Sequence, residues 1–145
     1  MSMTNPLPPF AHGMRVYWED TDAGGIVFYA NYLRFFERAR TEWLRAAGFE
    51  QHVLRERTNL IFVVASTSVR YLAPARLDDW LEVSVEPREL GRASMAIFQQ
   101  ARRGDRVLAE GEIRIGCIDA TSFATRRIPT ELTAALQISG PDAKT

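Results

Sequence analysis

The sequence predicts an α+β domain in which one antiparallel sheet wraps around a single long helix. Three observations carry that prediction. From about Ala30 to Gly48, apolar residues recur at helical spacing over a wide arc. Four other segments alternate apolar and polar residues at the period of a strand, and a fifth is rich in β-branched and aromatic residues. The links between the later segments are short, which implies antiparallel hairpins. A helix this apolar must be covered, and the strands supply the only large face able to cover it. The 145 residues suit one domain. Its expected bounds are 14–138, between a Pro-rich flexible tail at 1–13 and a frayed tail at 139–145.

In chain order, Met14 to Glu19 reads as the first strand, with Met14, Val16 and Trp18 facing the core. "DTDAGG" then breaks it, because Asp and Gly favour turns. In the helix, Tyr32, Phe36, Ala39, Trp43 and Ala46 form the apolar stripe, widened by Phe35 and Ala47. Glu37–Arg40 and Glu42–Arg45 are i,i+3 pairs on its wetter side. Gly48 suits a left-handed cap. "EQHVLRER" reads as a short second helix, and "LIFVVASTSVRYL" as a strand rich in β-branched residues. Leu81, Val83 and Val85 mark the next strand, and Ala93, Met95 and Ile97 the one after. Val107, Ala109, Ile113, Ile115 and Cys117 mark the last. "RGDR", Arg103 to Arg106, reads as a hairpin turn, and "ELTAALQ" after Pro129 as a terminal helix. One helix leaves part of such a sheet uncovered, so self-association is expected.

Composition narrows the function. The net charge is +0, which gives no strong pull toward nucleic acid or anionic membrane. No apolar run approaches the roughly 18 residues of a membrane span. The first residues lack a basic start before an apolar core, so no secretory signal is expected. Cys117 is the lone cysteine, which fits a reducing compartment, and a cytoplasmic location is expected.

Common catalytic sets are missing. The chain has neither a G-x-S-x-G elbow nor a phosphate loop ending in Lys-Ser or Lys-Thr. His12 falls in the tail and His52 in the connector after the long helix, neither beside an obvious nucleophile. Cys117 sits among apolar strand mates, as a buried thiol does. Asp20 and Asp22 remain. They are turn residues, or a metal pair, or a catalytic acid placed before a helix. A metal pair needs further oxygen ligands, and Gly24 to Phe28 offer none in their side chains. A helix N-terminus presents unpaired N–H groups and partial positive charge, which polarise a carbonyl. An acid on a Gly-Gly turn just upstream can reach the same carbonyl carbon, and Phe28, Tyr29 and Tyr32 would exclude water. So sparse a site suits a thioester, because a thiol, pKa about 8.5, leaves without a separate acid.

The segment "RVYWEDTDAGGIVFYANYLRFFERARTEWLR" resembles the active-site signature of hotdog-fold acyl-CoA thioesterases of the 4-hydroxybenzoyl-CoA thioesterase type. Within that type it is most similar to the bacterial Tol-Pal-associated branch, and "VRYLAPARLDDWLEV" extends the likeness. The resemblance runs from about Arg15 to Pro129. It implies a five-stranded antiparallel sheet around one long central helix. It further implies a homodimer with a joined sheet, paired as a dimer of dimers into a homotetramer, with sites at the subunit interface. By that likeness Asp22 is the catalytic carboxylate and the Tyr29 backbone N–H polarises the thioester. Gly25, Ile26 and Phe28 are candidate substrate contacts, and Arg92, Arg126 and Arg127 fall in segments that hold the nucleotide of coenzyme A. Asp20 is expected to support the turn. Glu37 is expected to pair with Arg40 rather than assist Asp22. Many members of the Tol-Pal branch carry histidine where this chain has Tyr29, a change that a backbone role survives. The expected reaction is hydrolysis of acyl-CoA to free acid and CoA, with no metal and no cofactor beyond the CoA of the substrate. The alternative is a non-catalytic hotdog scaffold that binds acyl-CoA or acyl carrier protein at the cell envelope. Dehydration of an acyl group is weaker still, since it needs a positioned histidine.

Overall fold

The structure is a computed structural model that describes residues 10–139. Strand β1 (Phe10–Arg15) leads through a 3-10 turn (Trp18–Asp20) to helix α1 (Asn31–Ala46) and the short α2 (Gln51–Thr58). Strands β2 (Leu60–Tyr71), β3 (Trp80–Leu90), β4 (Ser94–Arg103) and β5 (Arg106–Asp119) follow, and α3 (Thr130–Ser139) ends the described chain. The five strands form one antiparallel sheet in the order β1-β3-β4-β5-β2. The expected strand, long helix and four further strands are all present.

Helix α1 turns Tyr32, Phe35, Phe36, Ala39, Trp43 and Leu44 into the core, over a wider arc than a single stripe. They meet the inward faces of β3 and β4, where Leu81, Val83, Val85, Met95, Ile97 and Ala101 are buried. Gly111 lets the sheet approach the helix, since a Cβ there would lie 3.0 Å from the Phe36 ring. Gln99 is a fully buried polar residue on this face. Its Nε2 donates to the carbonyls of Phe36 (3.0 Å) and Ser84 (3.2 Å), and its Oε1 accepts from Arg40 at 2.9 Å. A buried amide is tolerated because its hydrogen bonds are filled. Arg40 therefore binds inward, and no ion pair joins it to Glu37 among the described residues; the Glu42–Arg45 pair does form. Burial draws the Arg40 pKa below its ordinary value, and the nearby charge of Glu37 opposes that.

The first strand starts at Phe10, so it includes His12 and part of the stretch expected as tail, and it stops at Arg15. Trp18 does not continue its inward face; it lies in the 3-10 turn and is 79% exposed. The Asp20 carboxylate accepts the Tyr17 N–H, which curls the chain before alternation can continue. Ala46 is exposed at the end of α1. The β4–β5 pairing slips where Ala101 faces Ala109 and Arg102 faces Val107, so Leu108 of β5 is buried and Val107 only half-buried. Gly104 and Asp105 make the two-residue β4–β5 turn, with Gly104 at φ +60. The β2–β3 link is no hairpin: β2 pairs with β5 at the far edge of the sheet.

Gly48 follows α1 at φ +95 with no atom within 4 Å of a Cβ built on it. Gly48→Ala therefore meets no clash and costs only left-handed strain, about 1 kcal/mol. A urea melt should show a lower midpoint at an unchanged slope.

Candidate active site

Asp20 and Asp22, one residue apart, have opposite environments. Asp20 is 3% exposed. Its Oδ2 accepts the Tyr17 N–H and its Oδ1 the Asn31 side-chain amide, both at 2.8 Å. Its carbonyl accepts the Phe28 N–H at 3.0 Å. Asp20 thus ties the 3-10 turn to the first residue of α1, the supporting role expected for it.

Asp22 is exposed at the tip of a tight turn. Thr21 bridges Val27, the Asp22 N–H donates to the Ile26 carbonyl (2.9 Å), and the Gly25 N–H to the Asp22 carbonyl (3.0 Å). Gly25, at φ +82, takes the left-handed conformation the turn requires. The Asp22 Oδ1 accepts the Gly24 N–H at 2.8 Å. A Cβ on Gly24 would sit 3.2 Å from that oxygen. The turn is strapped to the β2–β3 link, where the Ala75 carbonyl accepts the Val27 N–H and Ile26 bridges Arg76.

Helix α1 begins without a side-chain cap and without an acid in its first turn. Among the described residues, the N–H groups of Tyr29 and Ala30 have no acceptor. They carry the positive end of the helix dipole. Asp22, Phe28, Ala30, Asn31 and Arg34 line one cleft of about 400 Å³. Carboxylate and helix tip therefore share a cavity. Phe28 packs on the Tyr29 ring with centroids 5.0 Å apart, and Tyr29 is 63% exposed. Tyr32 is buried and donates no water-excluding wall to the cleft; its hydroxyl accepts the Ala75 N–H at 3.2 Å.

The candidate arginines separate. Arg92 and Arg127 line a second cleft, of about 310 Å³, with Gly91, Ile128 and Thr130. Arg126 does not join them. It binds the Asp119 Oδ2 at 2.7 Å and the Thr58 carbonyl at 3.4 Å. The Ser122 and Thr121 N–H groups, and then Arg126, hold the Asp119 carboxyl below its ordinary pKa. Arg92 precedes β4, whose Met95 lines a cavity with Trp43 and Leu44 near the end of α1. Asp22 lies by its start. Sixteen helical residues at about 1.5 Å each put roughly 24 Å between those ends.

The remaining nucleophile candidates are quiet. His12 pairs opposite Val83 in the sheet, and His52 is largely exposed with its Nδ1 3.8 Å from Glu50. Cys117 is fully buried, and that burial pushes its thiol above the usual pKa. Among the described residues, no three His, Cys, Asp or Glu side chains cluster closely enough to hold a metal. Asn31 and Arg34 also line the cleft; both fall in the signature segment, but nothing local marks either as a site residue.

Residues 16–136 match the model of the thioesterase-like superfamily. The acyl-CoA thioesterase YbgC of Haemophilus influenzae is 41% identical over 126 residues, 87% of this chain and 93% of that protein. The YbgC acyl-CoA thioesterase of Helicobacter pylori is 34% identical over 125 residues, 79% of this chain and 90% of its own. The crystal structure of a probable thioesterase from Bartonella henselae superposes with a TM-score of 0.81 at 32% identity, covering 84% of this chain and 100% of that one.

Proposed function

The chain belongs to the thioesterase-like superfamily and is an acyl-CoA thioester hydrolase of hotdog fold, and on that premise we propose how its residues carry the reaction. Asp22 is the catalytic carboxylate, and the Tyr29 N–H at the tip of α1 receives the thioester carbonyl oxygen. The observation that carries this reading is the shared cleft: Asp22 lines it together with Ala30 and Asn31 at the start of α1, just where the Tyr29 and Ala30 N–H groups have no acceptor among the described residues.

The chemistry follows from that placement. One Asp22 oxygen is occupied by the Gly24 N–H, so the other does the work. It either takes a proton from water as that water attacks the carbonyl carbon, or attacks the carbon itself to give an anhydride that water then opens. Both courses place negative charge on the carbonyl oxygen, where preorganised N–H donors are most effective. The intermediate then expels the CoA thiolate, which needs no acid at about pH 7 or above. Phe28 supplies apolar wall to the cleft, and Gly25 and Ile26, which do not line it, are proposed substrate contacts on the turn beside it. Thiol release from aromatic, short and long acyl-CoAs tests the activity. Binding without release across that panel would favour the scaffold alternative.

Arg92 and Arg127 are the proposed phosphate contacts of CoA, and Arg126, spent on Asp119, is left to the structure. Arg92→Ala and Arg127→Ala should each raise KM about tenfold with kcat little changed. The effect should shrink for substrates lacking the 3′-phosphate; an equal rise for both would count against the assignment. The span of α1 between the two clefts supports sites completed by a second chain, as does the exposed β2 edge from Val63 to Ser68. A homodimer, paired into a tetramer, is the proposed assembly, in the cytoplasm, with the 14–138 domain extended at its start to Phe10, where β1 begins. Within the superfamily we place the chain in the 4-hydroxybenzoyl-CoA thioesterase type and its Tol-Pal-associated branch, on the strength of D-x-D-x-x-G-x-V ahead of the long helix.

A further inference from the structure

Tyr71, the last residue of β2, reaches across to the start of α1. Its hydroxyl donates to the Tyr29 carbonyl at 3.1 Å. Its ring meets Tyr29 edge-on, with centroids 6.1 Å apart, and Tyr32 at 5.6 Å. Immediately beyond it, the N–H groups of Leu72 and Ala73 both donate to the Leu108 carbonyl, which anchors this end of the strand.

That bond acts on one peptide unit. In a planar trans peptide the carbonyl and the following N–H point in opposite directions. Fixing the Tyr29 carbonyl therefore fixes the Ala30 N–H, the second unpaired donor at the helix tip. Ala30 already has helical φ −71 and ψ −15, so its N–H lies along the helix axis. The only other donor to the Tyr29 carbonyl among the described residues is the Tyr32 N–H, at 3.4 Å. A donor on the carbonyl also polarises the N–H of the same peptide.

We propose that the oxyanion site has two backbone donors, Tyr29 and Ala30, and that Tyr71 is the positioning residue that aims the second. The inference rests on the oxyanion role given above to the helix tip. Burial raises the Tyr71 phenol above its ordinary pKa, so the hydroxyl keeps its proton near neutral pH.

Tyr71→Phe keeps both ring contacts and removes only the hydroxyl. With an acyl-CoA substrate, kcat should fall about tenfold, less than the 10²–10³ expected when a donor is removed outright. KM should stay within about twofold, and the thermal midpoint should hold, because the orienting bond acts on the transition state. Three results overturn the proposal: unchanged kcat, a rise in KM alone, or a kcat loss that appears only with a lowered thermal midpoint. Asp22→Asn run in parallel separates the two readings. If that variant is inactive while Tyr71→Phe is fully active, only the positioning role falls. If it remains active, the carboxylate reading falls, whatever Tyr71→Phe does.

Discussion

Asp22→Asn should lower kcat for acyl-CoA hydrolysis about 10³-fold while leaving stability within about 0.5 kcal/mol. The separation of effects follows from how Asp22 is held. Its only side-chain partner among the described residues is the Gly24 N–H, at 2.8 Å. An asparagine Oδ1 accepts that same bond, so the turn and the cleft survive. The amide nitrogen can neither take a proton from water nor attack a carbonyl carbon. A 10³-fold loss corresponds to about 4 kcal/mol of transition-state stabilisation. Steady-state thiol release and a urea melt on the same preparation measure both quantities. Turnover within tenfold of the parent would remove Asp22 from the mechanism, and a collapse in stability would move it to the fold.

Asp20→Ala should do the reverse. The substitution leaves the Tyr17 N–H and the Asn31 amide without their acceptor in a buried place. Each orphaned donor costs about 1–3 kcal/mol, so a loss of about 3 kcal/mol is expected in urea denaturation. Asparagine should rescue only part of it. Asp20 meets a donor at each of its two oxygens, and an amide presents one acceptor and one further donor. The same Asp→Asn change is therefore mild for the fold at Asp22 and severe at Asp20. A urea midpoint for Asp20→Ala equal to the parent's would show that water reaches this pocket and that the two bonds contribute little.

That contrast shows how far local reading extends. The D-x-D spacing and the turn residues around it identify two carboxylates before a helix. The family likeness already gives Asp20 the supporting role, but the means of support, Asn31 folding back against it from eleven residues on, lies in the fold. The arginines are similar. Arg126 and Arg127 are neighbours in the chain, yet Arg126 turns to Asp119 and Arg127 lines a cleft with Arg92. Adjacent strand-like residues point to opposite sides, so a dipeptide cannot reveal which one faces a site. Tyr71 carried no signal at all, because its partner carbonyl lies 42 residues away.

By itself the sequence determined the elements: one long helix with a wide apolar arc, the strands, the two-residue hairpin at Gly104 and the left-handed cap at Gly48. Those depend on side-chain period and on backbone freedom, which neighbouring residues report directly. Only the tertiary structure decided that β2 lies at the sheet edge beside β5, that Gln99 draws Arg40 inward, and that Asp22 shares a cavity with the helix tip. These are meetings of residues distant in sequence, chosen by which groups can be buried with their hydrogen bonds filled, and no local pattern encodes that choice.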